Sequence, residues 1–327
     1  MKCVNCRVDA RKKDRDANGG KCPGCSHPFV TDPAVDGLTD MQLKMAEDVV
    51  SGAGTFYFSK EQLEYQLQRK FRKRVHWSGI VSILLFLLFI VMLLSAFRNG
   101  GFFIPAAFFS GLAGLVFWGI KSKSAKTLKG LNALINKWLL LNPNPKLIKP
   151  GKFQDSSQNS NNLDDVSFDR VLICDKNETV DFFLSNLFHF HYSCPVLGGK
   201  GYPQGIYEDM LRRLKQNPNL KVFLLHDYSA EGQVFVRKMK TEPKWFGDGQ
   251  HYQMIDLGLN LGQKKKLFQA MTKKQTGPTG ITREIAEISL FKPATLVALC
   301  GAAINEAVAL DQVQLLSAAT HHSDGYG

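Results

Sequence analysis

Residues 168–240 fix the class of fold this chain can adopt. Two short apolar runs, Arg170–Cys174 and residues 222–225, are each followed closely by an acid, Asp175 and Asp227. Between them lie a helix-like stretch, residues 178–188, with Val180, Phe183, Leu184 and Leu187 on one face, then a second short strand at 194–197. A glycine loop (Gly198-Gly199-Lys200-Gly201-Tyr202-Pro203) and a helix at 206–214 follow. A third strand at 221–225, a helix at 232–240 and a fourth strand at 252–257 complete the alternation. Strands alternating with helices predict a parallel sheet with right-handed crossovers, and open sheets of this kind form their sites at the carboxyl ends of the strands. Asp175, Asp227 and the glycine loop are thereby predicted at one rim.

The amino-terminal segment carries a second constraint. Cys3 and Cys6 form one C-x-x-C pair, Cys22 and Cys25 another, with 15 residues between the pairs. Two thiolates two residues apart span one edge of a tetrahedron, and two such knuckles close it, so these four cysteines predict a structural zinc ribbon over residues 1–31. All four positions are filled, which excludes an open catalytic zinc. Cys174, Cys194 and Cys300 are isolated, so the chain is not a disulfide framework. His189, His191 and Cys194 match no established metal spacing and read as packing or surface residues in an extended segment.

The net charge of +12 suggests a nucleic-acid binder until it is mapped. Residues 65–154 contain no Asp or Glu and 14 Lys or Arg, whereas residues 1–64 hold 9 basic and 10 acidic residues and residues 155–327 hold 18 and 19. The excess belongs to the middle of the chain. That middle contains two uncharged runs, residues 77–97 and 99–120, of 21 and 22 residues. Each is long enough to cross a hydrocarbon core of about 30 Å, and the basic flanks place both ends on the cytoplasmic side. These runs predict a two-helix transmembrane hairpin closed by a turn at 98–101, a two-pass protein of a bacterial-type inner membrane with both termini cytoplasmic, and the lipid bilayer as a partner. Small residues in the second run suit close packing on the first.

Thr39 with Gln42, and Ser59 with Gln62, carry helix-start signatures. The polar stretch 154–165 reads as a flexible linker, the lysines at Lys264-Lys265-Lys266 and Lys273-Lys274 as the basic edge of a helix, residues 282–316 as helices packing on the sheet, and the end as a disordered tail. The resulting order is a zinc ribbon (1–31), a helical connector (32–76), the hairpin (77–120), a basic helix and linker (121–167), the α/β domain (168–315) and the tail (316–327).

The α/β stretch resembles the Toprim domain of the type found in the A subunit of DNA topoisomerase VI. Leu172-Ile173-Cys174-Asp175-Lys176 is similar to the family's strand ending in an acid, with Asp in place of Glu. Gly199 to Pro203 reproduces its G-K-G-Y-P-like loop. His226-Asp227-Tyr228-Ser229-Ala230-Glu231-Gly232 resembles its D-x-D-x-x-G, with Ser229 at the second acid. The likeness covers residues 168–257. It implies a Toprim-like fold, Mg²⁺ held by Asp175 and Asp227, and phosphoryl-transfer chemistry on a nucleotide or nucleic acid. Glu178 and Glu231 are near enough in sequence to supply a further acid. Lys200 is placed to hold a phosphate or position the acids, and Gly199, Gly201, Ser229 and Gly232 complete the expected binding loop. The family's strand-breaking tyrosine has no counterpart here, so a complete topoisomerase is not expected. Two functions follow: an inner-membrane-anchored cytoplasmic Toprim-like protein binding Mg²⁺ and a phosphate-containing ligand or nucleic acid, or a non-catalytic membrane scaffold that recruits protein partners through a degenerate Toprim-like fold and the zinc ribbon.

Overall fold

The computed structural model describes residues 1–98, 104–153, 168–217, 219–246, 252–259, 273–276 and 282–306. The chain divides into two compact units, one of residues 1–49 and 63–144, the other of residues 50–62 and 145–327.

The first unit contains the cysteine knuckles, a short helix α1 (Lys12–Ala17), α2 (Asp40–Val50), most of the long helix α3 (Lys60–Arg98) and α4 (Ile104–Leu141). α2 starts on a reciprocal cap: the Gln42 amide donates to Thr39 Oγ1 at 3.2 Å and the Thr39 amide donates to Gln42 Oε1 at 3.1 Å. Asp40, wholly buried, accepts from the Val30 and Thr31 amides at 2.9 Å each and from the Thr31 hydroxyl at 2.7 Å, which ties the end of the cysteine module to α2. α3 and α4 approach closely where their residues are small. Ser82 donates to the Gly114 carbonyl at 3.1 Å, and a Cβ on Gly111 would lie 3.1 Å from the Phe89 ring. Ile83, Leu84, Phe86 and Leu87 are exposed on the outer face of α3.

The two uncharged runs do not form the expected transmembrane hairpin. Among the described residues, no helix is long and apolar enough to cross a membrane. Both runs are parts of longer helices that also carry charge: α3 begins in the basic segment that includes Arg69, Lys70, Arg72, Lys73 and Arg74, and α4 continues through Lys121, Lys123, Lys126 and Lys129. The transmembrane element is therefore not part of the described fold, and the two-pass topology and inner-membrane localisation with cytoplasmic termini expected from it are not supported. Residues 99–101 of the expected turn lie outside the described residues.

The second unit is built on a four-stranded parallel sheet of order β2-β1-β3-β4, from β1 (Arg170–Cys174), β2 (Val196–Gly198), β3 (Lys221–Leu225) and β4 (Gln253–Asp256). β1 and β3 are central, and four of the five residues in each are buried, as parallel strands covered on both faces require. Val171, Ile173, Val222 and Leu224 face one side, against Tyr207, Met210, Leu211 and Leu214 of α7 (Gln204–Lys215) and Phe235 and Met239 of α8 (Ala230–Thr241). Leu172 and Phe223, which alternate with them, are also fully buried. α5 (Asn177–Ser185) follows β1 directly. The segment expected to be extended at 189–191 is instead a one-turn helix, α6 (Phe188–His191), entered through Leu187 in the left-handed region.

Residues outside the expected domain boundary belong to this unit. The Tyr57 amide donates to Asn186 Oδ1 at 2.9 Å while Asn186 Nδ2 donates back to the Tyr57 carbonyl at 3.1 Å. Buried Phe58 pairs in parallel with Leu147. Lys273-Lys274, expected on a helix, lies in β5 (Lys273–Thr276), paired antiparallel to β6 (Thr282–Ile285). Beyond β6 a 3-10 turn (Ile288–Leu290) leads into α9 (Pro293–Glu306). The expected linker at 154–165, the lysines at 264–266 and the tail at 316–327 lie outside the described residues.

Candidate functional site

The four cysteines come together. Their sulfurs all lie within 4.8 Å of one another. Cys3 Sγ is 3.7 Å from Cys25 Sγ, and Cys6 Sγ is 3.5 Å from Cys22 Sγ. Sulfurs bound at about 2.3 Å to one tetrahedral ion stand about 3.8 Å apart, so these positions could hold a metal such as zinc. The local cause is a repeat at a spacing of 19 residues. The Cys3 amide donates to the Val8 carbonyl and the Arg7 amide to the Cys3 carbonyl; the Cys22 amide donates to His27 and the Ser26 amide to Cys22 in the same way. Arg7 and Ser26, one residue past each second cysteine, both take positive φ. The bridges Lys2–Asp9 and Lys21–Pro28 close the two knuckles alike. The thiols are unequal: the backbone N–H of His27 draws the Cys25 thiol down to about 7, while burial raises that of Cys3.

The second site lies at the carboxyl ends of β1 and β3. The Asp175 amide donates to the Leu225 carbonyl at 3.1 Å, and the Gly199 amide donates to the Cys174 carbonyl at 2.8 Å, so the sheet ladder itself sets out the acid and the glycine loop. The Asp227 amide donates to Asp175 Oδ2 at 3.1 Å. Asp175 Oδ1 is buried with no hydrogen-bond partner. Burial, followed by the neighbouring Asp227 charge, raises the Asp175 carboxyl to about 6.

Asp227 is nearly enclosed and engaged at both oxygens. Oδ1 accepts the Ile288 amide at 2.7 Å, and Oδ2 is ion-paired with Lys176. Burial opposes the charge on Lys176, but Asp227, with Glu287 and Asp175 close by, outweighs it and raises the lysine above its ordinary value.

Asp175, Lys176, Gly199, Lys200, Asp227, Ser229, Glu231, Lys238 and Glu287 line one cleft of about 640 Å³. Six of the residues expected from sequence are therefore brought to one place: Asp175, Asp227, Lys200, Gly199, Ser229 and Glu231. Glu178 is not among them. It lines an adjoining cleft of about 390 Å³, with Glu61, Phe182 and Leu296, whose wall shares Lys176, Asp227 and Glu287 with the first. Ser229 caps α8, its Oγ accepting the Gly232 amide at 3.0 Å. Gly232 serves packing: a Cβ there would stand 2.7 Å from His226 Nδ1. Gly201 takes φ +84° in the turn closed by its own amide on the Gly198 carbonyl at 3.1 Å.

Beneath the cleft are groups that sequence reasoning missed. His226 Nδ1 lies 2.8 Å from the Asp227 carbonyl and Nε2 lies 3.0 Å from Asp256 Oδ1. Both partners are acceptors, and only the imidazolium donates from both nitrogens. Burial works against that charge, yet Asp256 and the Asp227 carbonyl prevail and His226 is raised. The Gly258 amide also donates to Asp256 Oδ1, at 2.8 Å. The glycine loop is pinned from below by a hydrogen bond from the Tyr202 hydroxyl to wholly buried Asp181. Asp181 also accepts the Gly151 amide at 2.8 Å, and the Phe153 amide donates to Tyr202 Oη at 3.1 Å. The available signals were the acid at the end of the fourth strand, Asp256, and a tyrosine inside the loop motif, but nothing in the sequence joins either to its partner.

Comparison of the chain with protein-family models, with curated proteins and with solved structures gives no match, so the reading of these sites rests on their geometry.

Proposed function

We propose that the strand-end cleft binds Mg²⁺ together with a phosphate-containing ligand, a nucleotide or nucleic acid, and that the four cysteines hold a structural zinc ion. One observation carries the first part: acids at the ends of two adjacent parallel strands, Asp175 and Asp227, face one cleft with Lys200 and Lys238, and Asp175 keeps a buried oxygen without a donor. Mg²⁺ takes oxygen ligands and commonly shares them with phosphate, so an orphaned carboxylate oxygen beside a second carboxylate fits it. When bound, such an ion neutralises charge that builds on a transferring phosphoryl group. Asp175 and Asp227 hold the ion in this reading. Lys200 and Lys238 face the phosphate oxygens. Glu231, in the first turn of α8, is the remaining carboxylate able to exchange a proton. The similarity of the three motifs to the Toprim pattern supports the same assignment.

A second reading is favoured by a specific feature of the same site. Both Asp227 oxygens are already bonded within the protein, and Ser229 stands as a helix cap where the pattern has an acid. A site so engaged fits a non-catalytic scaffold, with the cysteine module taking protein partners. Titration calorimetry of Mg²⁺ and Mn²⁺ into the zinc-loaded full chain, beside Asp175→Asn, separates the two. Binding that is lost in the variant supports the first reading, and hydrolysis assays on nucleotides and oligonucleotides follow from it. Absence of binding to the folded chain overturns the first reading and leaves the scaffold.

A further inference from the structure

We propose that Lys176 is the resident cation of the strand-end site: its ammonium is paired with Asp227 in the cleft that Asp175 also lines, where a divalent ion would be held, and such an ion enters by displacing it. The inference rests on the metal-binding reading above and names the residue that governs it.

Three observations carry it. First, the Lys176 ammonium is paired with the one Asp227 oxygen that the Ile288 amide leaves available. Second, the side chains differ sharply in exposure, 48% for Lys176 and 5% for Asp227. The acid is fixed by the fold, whereas the lysine reaches it from the open side and can withdraw. Third, Lys176 lines both clefts, so the withdrawn ammonium has space on either side of the shared wall and stays close to whatever anion enters. Its position next to Asp175 in the chain, in extended conformation at the start of α5, keeps the ammonium near the acids.

The chemistry is competition for one carboxylate set. An ammonium is a compact point charge on a flexible stem, and it compensates part of the charge of Asp227 and Asp175. A divalent ion compensates more of it and also takes the orphaned Asp175 oxygen, but must first break the ion pair with Asp227. The lysine therefore sets a threshold for metal binding. Once displaced, it becomes a free cation beside the ligand phosphate. In this arrangement metal and phosphate ligand bind cooperatively, because the phosphate gives the displaced ammonium a new partner.

The test is Mn²⁺ binding to the zinc-loaded full chain by calorimetry and by electron paramagnetic resonance. It compares the wild type, Lys176→Met and Lys176→Gln, each verified as folded by thermal melting. Mn²⁺ prefers oxygen ligands, which separates this site from the thiolates. The expected result is Mn²⁺ affinity about tenfold higher in both variants, the equivalent of about 1.4 kcal/mol. Asp227→Asn placed on Lys176→Met should abolish the gain. Inorganic phosphate should tighten Mn²⁺ binding in the wild type and do so less in the variants. Equal affinity in the wild type and both variants overturns the role of Lys176 while leaving the metal site intact. Absence of binding in every form overturns the metal site itself, and this proposal with it.

Discussion

His226 is clamped between Asp256 and its own neighbour's carbonyl, with Nε2 3.0 Å from Asp256 Oδ1 and Nδ1 2.8 Å from the Asp227 carbonyl oxygen. The clamp joins the ends of β3 and β4 directly below the acids of the cleft. Two close approaches depend on it. A Cβ on Gly258 would overlap the imidazole, and one on Gly232 would press on it from the other side. The histidine thus fixes the height of the Asp227 loop.

The pair predicts a pH window. The His226 pKa is raised in the folded chain, so its contribution is fully present below the unfolded value of about 6.5 and fades as pH rises through the folded value. The Asp256 pKa is lowered, mainly by His226 acting against burial, so its contribution fades as pH falls below the ordinary carboxylate range. His226→Gln should therefore cost most stability between about pH 5 and 6 and less at pH 8. Chemical denaturation of both proteins across that range measures the difference. A cost that does not change with pH would show that His226 acts by packing alone.

Asp175 predicts the opposite kind of substitution effect. Its carboxyl rises from the ordinary 3.8 to about 6, so the folded chain holds this proton more tightly than the unfolded chain. Stability is lost as pH rises from about 4 to about 6, by about 3 kcal/mol at about 1.4 kcal/mol for each tenfold change in proton affinity. Asp175→Asn keeps an acceptor for the Asp227 amide and cannot ionise. Relative to wild type, the variant should gain about 2–3 kcal/mol between pH 4 and pH 7 in metal-free buffer. Adding Mg²⁺ at pH 7 should stabilise the wild type and leave the variant unchanged. A wild-type-to-variant difference that stays flat across this pH range contradicts the burial argument.

The cysteine cluster predicts one bound zinc per chain, coupled to the stability of the first unit. Folding and metal binding are linked wherever the ligands of a small module replace a core. Cys25→Ser should lose the metal, measured by elemental analysis. A strong chelator should lower the melting temperature of the wild type and have no effect on the variant. Stoichiometric zinc in Cys25→Ser would mean that the four sulfurs do not act as one centre.

Legibility followed the range of each interaction. β1 and β3 could be read because an apolar run ending in an acid is a local signal, and the cysteine knuckles because their spacing is local too. Six residues of the strand-end site could be placed for the same reason: the motifs sit at the carboxyl ends of strands, and parallel topology brings those ends together. Glu178 lines the adjoining cleft: proximity in sequence to Asp175 does not say which way the first turn of α5 faces. A charge-free run predicts a membrane hairpin by composition alone, which does not say what longer helices the run belongs to. The Ile288 amide has no local signature, since it reaches Asp227 from 61 residues away in the chain. Asp181 under Tyr202 is similarly a tertiary pairing with no local signature.

Ser229 gives the last prediction, because it separates a ligand from a cap. Its Oγ accepts the Gly232 amide at 3.0 Å and its own amide donates to the Asp227 carbonyl at 2.9 Å, so the side chain is committed to starting α8. Ser229→Ala should cost about 1 kcal/mol of stability, the ordinary worth of an N-cap, and change Mn²⁺ affinity by less than about twofold. Ser229→Asp retains a capping oxygen and adds a carboxylate to the wall shared with Asp175. It should keep wild-type stability within about 0.5 kcal/mol and strengthen Mn²⁺ binding. Denaturant melts and metal titrations of the two variants read both effects. Should the alanine variant lose metal binding while remaining as stable as wild type, Ser229 would be a ligand and the capping assignment would fail.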